Sequence, residues 1–255
     1  ADMAVHFEIR DHVAVITLDR PEARNAVDHQ LAADLESAID QLEGDESLWV
    51  GILAGAGPAF CAGADLKAVA SGKADLATDR GGFAGIVRRA RTKPMIAAVE
   101  GPALAGGFEI VLSCDLVVAG SHARFGIPEV KRSLIANAGG LIRLPRVIPR
   151  NLAMEMALTG NPISAETAHQ HGVVNRLVEA GGALDSAIAL AAEIGANAPL
   201  AVRASRQVII EGGLLEDDAA FALSAEASRD VFRSEDFREG PQAFIEKRAP
   251  NWQGR

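Results

Sequence analysis

Glu109 and Glu129 stand twenty positions apart, and each closes a segment that glycine and proline constrain. The first ends the run Glu100-Gly-Pro-Ala-Leu-Ala-Gly-Gly-Phe-Glu109, and the second ends Arg124-Phe-Gly-Ile-Pro-Glu129. A third glycine turn, Phe60-Cys-Ala-Gly-Ala-Asp65, lies upstream. Glycine lets backbone approach a ligand closely, so polar side chains on glycine-framed loops are where chemistry is expected. Two carboxylates converging on one cleft can act as acid and base, one giving a proton while the other removes one. Spacing alone carries little weight, because the chain holds 34 acidic residues and many glutamate pairs lie about that far apart. The surroundings have to decide.

Composition removes several classes of function. The chain has no tyrosine, which excludes every mechanism built on a phenol, including that of a short-chain dehydrogenase. Gly55-Ala-Gly57-Pro58 lacks the third glycine of a dinucleotide loop, and Pro58 could not continue its helix. No phosphate-binding loop, HExxH or GxSxG motif occurs. A net charge of −9 argues against a nucleic-acid partner, since phosphate contact needs clustered Lys and Arg. His169 and His171 are two apart and would point to different faces of a helix, so no metal site is expected. Two cysteines without knuckle spacing fit a reducing, cytoplasmic setting. No apolar run approaches the length of a membrane span, and the first residues do not read as a signal peptide.

At 255 residues and 49% hydrophobic, the chain can bury a full core without disulfides. Val5–Arg10 and His12–Leu18 alternate around Asp11 and predict a hairpin. Asp28 caps a helix to about Leu42, with Leu31, Leu35, Ile39 and Leu42 at helical spacing. Trp49–Ala54, Met95–Val99 and Leu116–Ala119 read as buried strands, the last two flanking a glycine-rich helix at Gly106. A helix is expected over Phe83–Arg91, and Val69–Arg80 is the best candidate for a mobile flap. Helices over Ser164–His171 and Ala183–Asn197 enclose a strand at Val173–Val178. Beyond Pro199, three helices are expected: Pro199–Glu211, Glu216–Arg233 and Pro241–Lys247. The order of strands and helices predicts an α/β core with parallel pairing. Phe221, Leu223, Phe232 and Phe244 lie in C-terminal helices that no later strand covers, which implies subunit contact.

With these elements placed, the chain resembles the crotonase (enoyl-CoA hydratase/isomerase) superfamily along nearly its whole length. The residues that carry the resemblance begin with Asp19-Arg-Pro-Glu-Ala-Arg-Asn-Ala26, Phe60–Lys67 and Lys93-Pro94. They continue through Glu100–Glu109, Cys114-Asp115, Phe125–Glu129, Ala138–Leu144 and Ser234–Arg248. The resemblance implies a crotonase-like ββα spiral core over residues 1–197. It also implies a C-terminal helical oligomerisation region over 198–255, building a homotrimer or homohexamer. It places two oxyanion-hole N–H groups at Ala64 and Gly106 and the acid and base carboxylates at Glu109 and Glu129. Substrate and coenzyme A contacts fall to Arg24, Ala26, Ala62, Asp65, Leu66 and Lys67, with Arg24 or Lys67 reaching a phosphate. The acyl pocket is expected between Phe83–Arg91 and the C-terminal helices. Coenzyme A is part of the substrate, and no separate cofactor is implied.

The activity implied is reversible hydration of a trans-2-enoyl-CoA. Removing or adding a proton beside a thioester carbonyl creates an enolate, whose oxygen two backbone N–H groups can stabilise without side-chain rearrangement. The alternatives are a double-bond isomerase, a carnitinyl-CoA dehydratase-like enzyme, or an acyl-CoA-binding protein without turnover. Two departures from the family pattern bear on rate and chain length. Asn137 stands where typical hydratases carry glycine, and Phe108 stands where a smaller residue is usual. Cys61 and Cys114 read as packed core thiols rather than nucleophiles.

Overall fold

The predicted hairpin forms one edge of a six-stranded sheet. The computed structural model describes residues 3–72 and 75–255. Strands β1 (Val5–Arg10) and β2 (Val13–Leu18) pair antiparallel, Val5 opposite Leu18. Strand β2 then runs parallel to β3 (Val50–Gly55), Val13 opposite Val50. The helix between them, α1 (His29–Gly44), starts where Asp28 accepts the Leu31 N–H at 2.9 Å. Its apolar stripe of Leu31, Leu35, Ile39 and Leu42 is wholly buried, as the spacing requires.

Helix α2 (Leu66–Ala70) follows, then a short ribbon of β4 (Ala77–Thr78) and β5 (Gly82–Phe83). Residues 73 and 74 of the expected flap lie outside the described residues. The sheet continues through β6 (Met95–Val99), β8 (Leu116–Gly120) and β11 (Arg176–Val178), all parallel. A second, three-stranded sheet holds β7 (Pro102–Leu104), β9 (Arg124–Gly126) and β10 (Ile163–Ser164). Helix α3 (Gly106–Ser113) leaves β7 and leads into β8.

Side chains alternate along the large sheet and build two cores. Ala14, Ile16, Leu53, Ala97 and Ala119 face α1 and α3. Val15, Val50, Ile52, Ile96 and Val118 face Ala183, Ala187 and Leu190 of α7 (Ala183–Gly195). The period of two in the strands sets this division directly. Buried Lys93 spans layers, its Nζ donating to the Leu42 and Asp45 carbonyls at 2.7 and 2.6 Å. A cation on the closing carbonyls of α1 suits the negative end of the helix dipole.

Three expectations need correction. Phe83–Arg91 is not a helix: Phe83 closes β5, turns cover 84–88, and 89–91 has no regular structure. Gly82, Ala84 and Gly85 all take positive φ there, which a right-handed helix cannot contain. Gly85 presses against the α1 backbone at Ala32, where a side chain would collide. Second, α4 (Gly140–Val147) falls on a stretch read only as motif, and α5 (Arg150–Thr159) falls where no element was expected. Third, the last helix, α10 (Glu235–Glu246), begins six residues before Pro241, with Ser234 capping the Phe237 N–H at 3.1 Å.

Helix α6 (Ala165–Gln170) precedes β11, while α8 (Pro199–Gly212) and α9 (Asp217–Phe232) lead to α10. Both His169 and His171 sit at the end of α6, where His169 Nδ1 lies 2.9 Å from the Val174 carbonyl. No cluster of three or more metal-ligating side chains occurs among the described residues. No single helix among them is long and apolar enough to cross a membrane.

Candidate active site

Strands β7 and β9 run parallel with Leu104 opposite Gly126, so the segments that leave them emerge side by side. From β7 the chain enters α3 at Gly106; from β9 it enters a 3₁₀ turn, Pro128–Arg132. Pro128 at the start of that turn has the φ a helical turn needs and lacks the N–H it would waste. Glu109 lies in the first turn of α3 and Glu129 in the first turn after β9. The small sheet is therefore what brings together two carboxylates separated by twenty residues.

Both carboxyls sit in poor surroundings for charge. Glu109 is buried, and its Oε1 accepts the Gly140 N–H at 2.9 Å. Burial pushes its pKa up to about 7, against the pull of the Gly140 and Ala138 amides and the Arg143 charge, while Glu129 adds to the rise. Glu129 is also raised, burial again being the main cause, and its buried Oε2 has no hydrogen-bond partner among the described residues. Glu109 is thus able to hold or release a proton near neutral pH, and burial raises the proton affinity of Glu129 in the same direction. A Cβ on Gly140 would sit 3.0 Å from Glu109 Oε1, so glycine there admits the carboxylate to the α4 N-terminus.

Two glycine turns meet beside this pair. A Cβ on Gly63 would lie 2.9 Å from Ala105 Cβ and 3.1 Å from the Gly106 nitrogen. Ala105 adopts φ 52° and ψ −128°, a conformation that L-residues rarely take and that costs about 1–3 kcal/mol. Its own N–H donates to the Gly126 carbonyl at 2.9 Å. The N–H groups of Ala64 and Gly106 donate to no backbone carbonyl among the described residues. Gly106 also opens α3, where amides are unpaired by construction and the dipole favours an anion. Strain at Ala105 and two adjacent unclaimed donors form a small cradle for one negative oxygen.

The remaining predicted residues line one rim of that cradle. Residues 24–27 lie along residues 62–65: the Ala62 N–H reaches the Arg24 carbonyl at 3.0 Å, and Asp65 N–H reaches Val27 at 2.9 Å. Ala26 is buried beneath the rim, whereas Ala62, Leu66, Lys67 and Arg24 are exposed. Asp65 is occupied internally. Its Oδ1 caps α2 through Lys67 and Ala68 N–H at 3.0 and 3.3 Å, and its Oδ2 pairs with Arg20 at 3.2 Å. Burial opposes its ionisation, but the Arg20 guanidinium and the two amides outweigh that and hold it below the usual carboxylate range.

The Enoyl-CoA hydratase/isomerase family profile matches residues 8–255. The chain belongs to that family. It is 44% identical to Enoyl-CoA hydratase EchA19 of Mycobacterium tuberculosis, over 97% of this chain and 96% of that one. It is 39% identical to a Carnitinyl-CoA dehydratase of Proteus mirabilis, covering 99% of each chain. The crystal structure of an enoyl-CoA hydratase from Mycobacterium tuberculosis H37Rv superposes with a TM-score of 0.97 at 50% identity, covering all of both chains.

For this family member, the structure adds residues that the sequence did not single out. Asn25 is fully buried, its Nδ2 donating to the Ala56 and Ala59 carbonyls at 2.9 Å and its Oδ1 accepting the Arg20 N–H at 2.8 Å. It rivets the Arg24 turn to the Phe60 turn. The Phe83 ring lies over Gly106, so that a Cβ on Gly106 would run into it. Arg143 reaches back from α4 to the Val87 carbonyl at 2.6 Å. Phe108 packs in the core against Phe125, with ring centroids 5.3 Å apart. Asn137 is exposed, and its N–H is already used by Ile135 at 2.9 Å. Cys61 is fully buried with its thiol pushed up to about 12 by burial, consistent with a packed spacer.

A cavity of about 1420 Å³ does lie between Ile86–Pro94 and helices α8 and α9. Arg89, Arg91, Arg143, Arg146, Arg203 and Arg206 line it together with apolar side chains such as Ile86, Leu112, Val147, Leu200 and Ile209, so its wall is mixed. Ala64, Gly106, Glu109 and Glu129 are not on its wall. The apolar group that lies against Gly106 is the Phe83 ring.

Proposed function

We propose that this chain is an enoyl-CoA hydratase, adding water reversibly across the Cα–Cβ double bond of a trans-2-enoyl-CoA. The observation that carries this reading is the pairing of two carboxyls with raised pKa values beside two unclaimed N–H groups. In this reading Ala64 and Gly106 hold the thioester oxygen as it becomes an enolate. The environments favour different roles for the glutamates. Glu109 is held by amides that favour its ionised form, so it takes the proton from water as oxygen bonds to Cβ. Glu129, whose proton affinity burial also raises and whose buried Oε2 has no partner among the described residues, delivers a proton to Cα on the same face. Arg24 and Lys67 are the cations exposed on the rim for the phosphates of coenzyme A, which enters as part of the substrate.

Turnover of crotonyl-CoA, followed as loss of the conjugated enoyl absorbance, is the expected result. Absence of turnover on every enoyl chain length would overturn the proposal. The carnitinyl-CoA dehydratase relatives support a second reading, in which the same two glutamates run the reaction as dehydration of a 3-hydroxyacyl thioester. Faster release of water from carnitinyl-CoA than uptake by crotonyl-CoA would favour it.

We further propose that the chain works as a homotrimer or a pair of trimers, with residues 198–255 as the assembling region. Two separate apolar faces support this. One lies on the C-terminal helices, where Phe221 and Phe244 are 76% and 85% exposed. The other comprises Leu134, Ile135, Ile142 and Leu158, the last 70% exposed. Two different patches on one chain favour head-to-tail contacts, which close into a ring when the rotation permits. Light scattering should give a particle several times the 26.6 kDa chain mass, and a stable monomer would refute this.

A further inference from the structure

We infer that Arg143 is a positioning residue for the proton-transfer pair, coupling the helix that holds Glu109 to the wall that covers Gly106. The inference rests on the reading of Glu109 given above and extends it to a side chain outside the glutamate pair and the donor turns.

The placement of Arg143 is unusual for an arginine. It sits in the first turn of α4, three residues after the Gly140 N–H that binds Glu109. Its backbone N–H closes onto Gly139 at 2.8 Å, and its Nη2 donates to the Val87 carbonyl at 2.6 Å. Val87 lies in the turns that follow Phe83, whose ring rests on Gly106. One guanidinium therefore links the support of the carboxylate to the cover of the expected oxyanion donor. A shift of either wall is transmitted to the other through that bond.

Mechanical linkage alone does not explain the charge. Arg143 Nη1 is buried without a hydrogen-bond partner among the described residues, which costs free energy that an apolar side chain would not incur. Burial lowers its proton affinity, and Arg91 and Arg146 press in the same direction. Opposing them are Cys114 and Glu109, and Glu109 is the carboxylate among these neighbours. Around Glu109 itself, the facing groups are the Gly140 and Ala138 amides from the α4 side, Glu129 from the turn after β9, and Arg143. Arg143 is thus the cation in that set and opposes the rise caused by burial. A positive charge kept there at a cost in stability has a purpose if it keeps Glu109 available as a base near neutral pH.

The test reads Glu109 directly, by carboxyl carbon NMR titration of the full-length wild type, Arg143→Gln and Arg143→Lys, alongside kcat and KM on crotonyl-CoA. Arg143→Gln removes the charge and, being shorter, also gives up the reach to the Val87 carbonyl, whereas Arg143→Lys keeps a cation long enough to donate there. In the Gln variant the Glu109 midpoint should rise above that of the wild type, with kcat at pH 7 falling by up to about fivefold as the ionised fraction drops and KM little changed. Arg143→Lys keeps the charge, so its Glu109 midpoint should stay near that of the wild type even if kcat falls. Should Arg143→Gln fail to fold, the Lys variant still decides, because a Glu109 midpoint raised in that variant contradicts a charge effect. A Glu109 midpoint in Arg143→Gln equal to that of the wild type would reduce Arg143 to a structural link. The titration needs no substrate, so it stands apart from any failure of the hydratase reading, which the turnover assay reports by itself.

Discussion

Glu109→Gln should lower kcat by about a thousandfold while making the folded protein more stable above neutral pH. The loss follows from removing the base: positioned proton transfer typically contributes 10² to 10⁴, and glutamine cannot accept the proton. The gain in stability follows from the same burial that tunes the residue. Its pKa rises from the ordinary 4.5 to about 7 on folding, so the folded state binds this proton more tightly than the unfolded chain does. Below pH 4.5 both states are protonated and the residue costs nothing. Between that and pH 7 the unfolded chain ionises first, and the penalty grows to a limit of about 3 kcal/mol, fully present above pH 7. Glutamine never ionises, and its oxygen still accepts the Gly140 N–H. Denaturant unfolding of wild type and variant should therefore diverge at pH 8 by about 1–3 kcal/mol and converge only below about pH 4.5. Equal stabilities at pH 8 would mean that Glu109 is not strained by its site.

Glu129→Gln separates the rival chemistries. Hydration needs both carboxyls, so each Gln variant should be nearly inactive. A double-bond isomerase can shuttle one proton on one base, and would retain substantial rate in Glu109→Gln while Glu129→Gln abolished it. The raised pKa of both residues favours the two-carboxyl outcome. Either result reports on the site without reference to chain length.

The sequence made the strands, the first helix and the glycine turns legible because each was marked by local rules. Asp28 announces α1 by its capping position, and alternation along β2 divides its residues between two cores. What it hid depends on long-range contact or on backbone geometry that residue type does not encode. Ala105 has a left-handed φ that the sequence would assign to glycine. Phe83–Arg91 has a helical-looking apolar pattern, but Gly85 meets α1 and the run becomes turns. Asp65 reads as a ligand on a rim, whereas the structure spends both its oxygens on α2 and Arg20. Arg143 lay inside a quoted motif, yet nothing local indicates that its guanidinium reaches the carbonyl of Val87, more than fifty residues earlier.

Removing the Gly106 N–H alone should lower kcat about a hundredfold, equivalent to roughly 3 kcal/mol of enolate stabilisation, with little change in KM. Proline at this position is a poor instrument. The residue before a proline is driven to extended backbone, whereas Ala105 must hold φ 52° and ψ −128°. Any Cβ at Gly106 also meets the Phe83 ring. Replacing the Ala105–Gly106 amide by an ester, using glycolic acid at position 106, deletes the N–H and adds no atom. A paired control isolates the steric effect. Gly106→Ala keeps the N–H but collides with Phe83, and combining it with Phe83→Ala should restore rate to within about tenfold of Phe83→Ala alone. The contrast carries the argument: the ester variant has space but no donor, and the double variant has a donor and regained space. An ester variant that turns over at the wild-type rate would remove Gly106 from the oxyanion site, and Ala64 would then need a different companion.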